Sequence, residues 1–284
     1  MDKATTIDTD SFVYVSVLYP KSDCRRQVGF GDEAGSRTDY VGSNLEVASL
    51  PLRNEVQASN YGAIELALNH LESLRRQHIT NYIAYVTDPE SRDAVLAHGF
   101  GPVVLLDYDT TTSNELSFLR YKVIRDLLLQ GKNVWYMDVD TVVLTPLQSV
   151  YDTLRQDSID LACQDDLTML CSGCMLYFSN PATIALTGYV YDCRRLSSND
   201  QFVLDAALKG GHSSVRVHTL DPMQFPNGLL HFYDPHQTYD VLKIQSLQTQ
   251  YQAYTGNVFF VHANWMIGIP EKISALKSKN LWFL

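Results

Sequence analysis

Between Tyr61 and Leu144 the sequence switches regularly between helical and extended patterning, and this alternation restricts the possible folds more than any other feature. Ile64, Leu68, Leu71 and Leu74 recur at helical spacing and predict a helix from Tyr61 to Gln77. "YIAYV", Tyr82 to Val86, predicts a strand. Asp88 then caps a helix with Pro89 at its first position and Gly99 just past its end. Val103 to Leu106 predicts the next strand, and Thr112 and Glu115 form a capping box for a helix that Gly131 closes. "NVWYMDVDTVVL", Asn133 to Leu144, reads as one more strand, and Ser11 to Leu18 as the first. Strands alternating with helices imply an α/β fold, a parallel sheet with helices on both faces.

The second half is less regular. Leu161 to Cys163, Met175 to Phe178, Val215 to Leu220 and "NVFFVHAN" predict strands. Ser198 and Gln201 read as a capping box for a helix through Leu208, and the C-terminal segment reads as polar. Residues 20–55 match no element. With no linker or internal repeat, the 284 residues suit a single domain.

Charge narrows the range of partners. The net charge is −10, and the longest basic clusters are the pairs Arg25-Arg26, Arg75-Arg76 and Arg194-Arg195. That argues against nucleic acid or an anionic membrane surface. No apolar run approaches the roughly 18 residues of a membrane-spanning helix. Cys24, Cys163, Cys171, Cys174 and Cys193 are an odd set, so they cannot form a complete disulfide framework. No Asn stands in a glycosylation sequon. A soluble, reduced, cytoplasmic protein is expected, with a Golgi-lumenal enzyme cut free of its anchor as the alternative.

Asp138 and Asp140 interrupt the apolar run of Asn133 to Leu144. On a continuous strand they would point to one side, their Cα atoms about 6.6 Å apart. Buried carboxylates are costly unless paired, and a divalent cation between them would neutralise the charge.

"GKNVWYMDVDTVVLTPL" resembles the Asp-x-Asp region of GT-A nucleotide-diphospho-sugar transferases, and "ELSFLRYKVIRDLLLQG" resembles the Lys-bearing helix that precedes it. The spacing from Lys122 to Asp138 is similar to that of the retaining, glycogenin-like members. "CSGCMLYFSNP", "SSNDQFVLDAAL", "FPNG" and "FFVHANWMIGIPEK" resemble later motifs in the same order, from about residue 55 to 280. The resemblance implies a GT-A, Rossmann-like fold with a smaller acceptor-side subregion. Residues 1–150 would form a nucleotide-sugar half and residues 151–284 an acceptor and closing half.

It also implies roles. Asp140 would bind Mn²⁺ or Mg²⁺, Asp138 the metal or the ribose, and His262 would be a third ligand. Lys272 would contact the diphosphate of a UDP-linked nucleotide sugar, and Gly268 would let backbone approach the phosphates. Asn264 lies in the same closing segment. Lys122 and Arg120 would reach the sugar or diphosphate. Asp200 and Gln201 would hold the sugar, Gly173 would lie beside the donor, and Asp165 and Asp166 would bind donor sugar or acceptor. Cys171 stands where relatives often carry Asn. The implied activity is transfer to a glycan, protein or small-molecule hydroxyl, with retention. The alternatives are a sugar-phosphate nucleotidyltransferase and a non-catalytic sugar-binding relative.

Overall fold

The computed structural model describes residues 12–18, 62–107, 117–167, 169–197, 199–211, 213–232 and 242–284. The Thr112–Glu115 capping box, Ser198 and the irregular stretch 20–55 lie outside the described residues. Strands β1 (Phe12–Leu18), β2 (Tyr82–Val86), β3 (Val103–Leu105), β4 (Asn133–Met137), β6 (Leu161–Asp165), β7 (Leu170–Tyr177) and β8 (Val217–Leu220) form one sheet in the order β3-β2-β1-β4-β7-β6-β8. β1 pairs in parallel with β2 and β4, as do β2 with β3 and β6 with β8. β7 runs antiparallel to both of its neighbours. The sheet is therefore mostly parallel but mixed.

Among the described residues the α-helices are α1 (Gly62–Arg76), α2 (Pro89–Ala97), α3 (Leu119–Leu128), α4 (Gln148–Gln156), α5 (Pro181–Asp192), α6 (Asp200–Lys209), α7 (Gly228–His231), α8 (Leu242–Ala253) and α9 (Ile269–Ser278), with a short 3₁₀ helix at Cys193–Arg195. Residues on β4 alternate between two cores. Trp135 and Met137 pack with Leu71, Leu74 and Val95, whereas Val134 and Tyr136 join Tyr121, Ile124 and Leu186 on the other face. A strand covered on both faces has no solvent side, which is why β4 reads as an unbroken apolar run.

The expected strand from Asn133 to Leu144 is two strands. β4 ends at Met137, residues 138–140 turn, and Thr141–Val143 form β5, which pairs antiparallel with β9 (Phe260–His262) in a separate two-stranded sheet. Asp138 and Asp140 consequently sit on a turn rather than on one face of a strand. Thr141 N donates to Asp138 O at 3.1 Å and closes that turn. "NVFFVHAN" contributes only the three residues of β9 to a strand. The polar C-terminal segment contains α9, which buries Leu276.

β1 lies between β2 and β4, so the chain's crossovers diverge there. In open α/β sheets the crevice at the carboxyl ends of the strands at such a point is the usual ligand site. Asp138 leaves β4 at that end.

Candidate functional site

The β5–β9 ladder sets Thr141 opposite His262, and Ala263 N donates to Asp140 O at 3.0 Å. That pairing brings His262 onto the acidic turn. One ligand atom from each of Asp138, Asp140 and His262 lies within 4.8 Å of the others. Asp140 is buried; its Oδ1 lies 3.1 Å from His262 Nε2, and its Oδ2 accepts from Lys272 Nζ at 2.5 Å. Burial pushes the Asp140 carboxyl up, but Lys272 and His262 together outweigh it and hold the group well below the usual carboxylate range. Burial likewise favours neutral Lys272 and His262, and Asp140 overrides it, raising both.

Gln164 orients the imidazole. Its Nε2 donates to Phe225 O and Pro226 O, both at 3.1 Å, which leaves Oε1 to accept from His262 Nδ1 at 2.8 Å. With Nδ1 carrying that proton, Nε2 is the nitrogen available to a cation. Two carboxylates and one imidazole suit Mn²⁺ or Mg²⁺. The Cys171 and Cys174 thiols each lie 3.7 Å from His262 Nδ1, and burial pushes both up, Cys174 to about 12. They stay protonated and pack around the ring instead of offering thiolate.

A bulge in β7 shapes the other wall. Asp165 pairs with Leu170 and Cys163 with Met175, so Cys171 to Cys174 oppose little more than Gln164. On the β4 side the regular ladder continues, with Asp138 N donating to Gly173 O at 2.7 Å. A Cβ on Gly173 would collide with Asp138 Oδ2 and lie 2.7 Å from His262 Cε1, so only glycine leaves the space between the ligands clear. Gly268, at φ +89°, precedes α9 and starts the turn of helix that carries Lys272.

Arg120 is buried and connects two carboxylates. Its Nη1 donates to Asp138 Oδ1 at 3.1 Å and to Ser172 O at 2.9 Å, and its Nε lies 3.5 Å from Asp200 Oδ2. Tyr136 OH also donates to Asp138 Oδ1, at 2.7 Å. Lys122, on the same helix, pairs with Asp126 at 2.9 Å. Asp200 opens α6, whose cap is Asn199, accepting from Phe202 N at 3.1 Å. Gln201 Nε2 donates to Asp166 Oδ2 at 3.1 Å.

Asp166 receives two further donors on Oδ1, Asn264 Nδ2 at 2.8 Å and Trp265 Nε1 at 2.6 Å. Burial raises the Asp166 carboxyl, against the pull of those donors. Asn264 Oδ1 accepts from Gly228 N at 2.8 Å, which fixes the loop after β9 to α7. Asp165 instead closes its own turn, accepting from Leu167 N at 2.8 Å.

Two supporting residues escaped the sequence reading. Gln164 is one. The other is His70 on α1, whose Nδ1 donates to Thr141 O at 2.9 Å while Nε2 accepts from Ser16 Oγ at 2.9 Å. His70 thereby props the acidic turn against β1.

The pattern of the nucleotide-diphospho-sugar transferase family matches residues 77–276. The chain belongs to that family. The match takes in the acidic turn, the β7 bulge, the start of α6 and the loop from His262 to Lys272. The apo-form glycosyltransferase GlyE of Streptococcus pneumoniae TIGR4 superposes with a TM-score of 0.50 at 13% identity, over 95% of this chain and 64% of that one. A glycosyltransferase involved in glycosylation of the major capsid of PBCV-1 gives 0.48 at 11% identity, covering 93% and 98%. Mouse xyloside xylosyltransferase 1 gives 0.47 at 12% identity, covering 89% and 97%. No curated protein sequence matches this member of the family significantly. Its fold is GT-A. No helix among the described residues is long and apolar enough to cross a membrane.

Proposed function

We propose that this family member is a metal-dependent glycosyltransferase. It moves a sugar from a nucleotide diphosphate sugar, of the UDP-linked kind, to a hydroxyl of a glycan, protein or small molecule. The convergence of Asp138, Asp140 and His262 within 4.8 Å, beside Lys272, carries the proposal. Asp138, Asp140 and His262 would hold Mn²⁺ or Mg²⁺. When bound, such an ion supplies Lewis-acid stabilisation of charge on a leaving diphosphate.

The chain's own residues do the rest. Lys272 carries a positive charge at the same carboxylate, where a diphosphate would be neutralised. Arg120 holds Asp138 and Asp200 in fixed relation, so that the carboxylate at the metal and the carboxylate at the sugar keep their spacing. Asp200, Gln201 and Asp166 present oxygens and an amide to sugar hydroxyls. Residues 1–150 form the nucleotide-sugar half and residues 151–284 the acceptor and closing half, which brings His262 and Lys272 back to the metal. Retention of anomeric configuration rests on the likeness to glycogenin-like sequences.

Sugar transfer and donor hydrolysis across a panel of UDP-, GDP- and CDP-sugars with Mn²⁺ test this reading. Turnover of a UDP-sugar that chelation abolishes is expected. Background rates with every donor would overturn it. Pyrophosphate release from UTP and a sugar 1-phosphate would replace it with nucleotidyl transfer.

A further inference from the structure

Trp265 stands apart from the rest of the site. Its backbone is left-handed, at φ +66°, a conformation disfavoured for a residue bearing Cβ. Strain of this kind persists only where the surroundings enforce it. Here the indole N–H is tied to Asp166 Oδ1 at 2.6 Å, and the preceding residue, Asn264, donates to the same oxygen at 2.8 Å. Gln201 Nε2 holds Oδ2 of that carboxylate at 3.1 Å. The ring therefore cannot turn without giving up its bond to Asp166.

A tryptophan fixed this firmly would ordinarily fill a core, as Trp135 does at 0% exposure. Trp265 is 37% exposed, and among the described residues no aromatic ring or cation is recorded against its face. The result is a tethered, partly exposed indole beside a carboxylate and two amides. A sugar ring has the complementary surface: one face of C–H groups to lie on an indole, and a rim of hydroxyls to reach carboxylate and amide groups.

We infer that Trp265 is the platform on which a pyranose or furanose ring stacks, with Asp166, Gln201 and Asn264 reading its hydroxyls. The inference rests on the proposed glycosyl transfer. The ring belongs to the acceptor or to the donor sugar, and the two share this chemistry.

The test compares wild type with Trp265→Phe and Trp265→Ala, both checked for fold by thermal melting. Methyl glycosides of glucose, galactose, mannose and xylose are titrated in the presence of UDP and Mn²⁺, with tryptophan fluorescence as the signal. A saturable change in wild type that disappears in Trp265→Phe is expected. In turnover, Trp265→Ala should raise one sugar's KM about tenfold, the loss of a stacking contact of about 1.4 kcal/mol. A raised acceptor KM with unchanged donor hydrolysis assigns the platform to the acceptor, and a raised donor KM assigns it to the donor. Unchanged KM for both in Trp265→Ala, or no glycoside response in a wild type that still binds UDP and Mn²⁺, overturns the platform. Failure of UDP to bind at all would instead strike the proposed function.

Discussion

Gln164 Oε1 and His262 Nδ1 lie 2.8 Å apart, and the direction of that bond is set from outside the pair. Two backbone carbonyls, Phe225 O and Pro226 O, consume both amide hydrogens of Gln164, so the imidazole must be the donor. Replacing Gln164 with Leu removes the constraint and leaves His262 intact. Mn²⁺ affinity should fall about 10- to 100-fold by calorimetry, the usual effect of losing such a supporting partner. Unchanged affinity would mean that the tautomer of His262 does not matter to the cation.

Gly173 is a prediction about space. A Cβ there would collide with Asp138 Oδ2 and approach His262 Cε1 to 2.7 Å. Gly173→Ala must displace one of the two ligands, and displacements of about 1 Å can cost on the order of 100-fold in rate. We expect kcat/KM to drop on that scale while the melting temperature moves little.

His70 supplies a pH dependence with a definite sign. Burial drives its pKa from 6.5 down to about 4, although the bond to Thr141 O opposes the shift. The folded state therefore resists a proton that the unfolded chain accepts. Stability from this source is complete above pH 6.5 and is lost as the pH falls from 6.5 to about 4. The loss amounts to roughly 3 kcal/mol. His231, also lowered to about 4 by burial, adds its own share in any background. His70→Asn keeps a donor toward Thr141 O but does not titrate, so urea unfolding across this range should show a shallower acid loss than wild type. Parallel curves would remove His70 from the account.

Arg120 and Lys122 should separate cleanly. Arg120 is buried between Asp138 and Asp200, and Arg120→Met leaves the buried Asp200 carboxylate without its cation, at a cost of about 3–5 kcal/mol in chemical unfolding. Lys122 makes one exposed pair with Asp126, and Lys122→Ala should stay within about 0.5 kcal/mol of wild type. Equal effects would contradict the placement of both side chains.

Those two residues also show what the sequence could reveal. They lie two positions apart, about 200° around a helix, so they leave α3 in different directions. Helical geometry alone carried that information. Elements set by local chemistry were legible: Asp88, Pro89 and Gly99 bracket α2 where their capping preferences place them. β5 was not separable, because Thr141 to Val143 continue the β-branched pattern of β4 while pairing with a strand more than a hundred residues away. α9 left a trace in Ile269, Ile273 and Leu276, with Gly268 before them and Pro270 at the first turn.

The acidic turn and His262 were legible as chemistry, since two carboxylates inside an apolar run demand a partner. Their supports were not. His70 lies on a helix whose apolar residues alone predict one buried face, yet every residue from Leu66 to Leu74 is buried, because β5 and the C-terminal segment cover the other side. Gln164 sits just past the predicted end of its strand, the first of three polar residues in a row, and nothing in that run signalled its bond to His262.

The central claim is that Asp140 anchors a divalent cation through which the nucleotide binds. Calorimetric titration of UDP into wild type and Asp140→Asn, each with and without Mn²⁺, tests it most directly, with thermal melting as the fold control. The account predicts that Mn²⁺ tightens UDP binding in wild type and has no effect in Asp140→Asn. Mn²⁺-dependent UDP affinity that survives unchanged in a folded Asp140→Asn would contradict it.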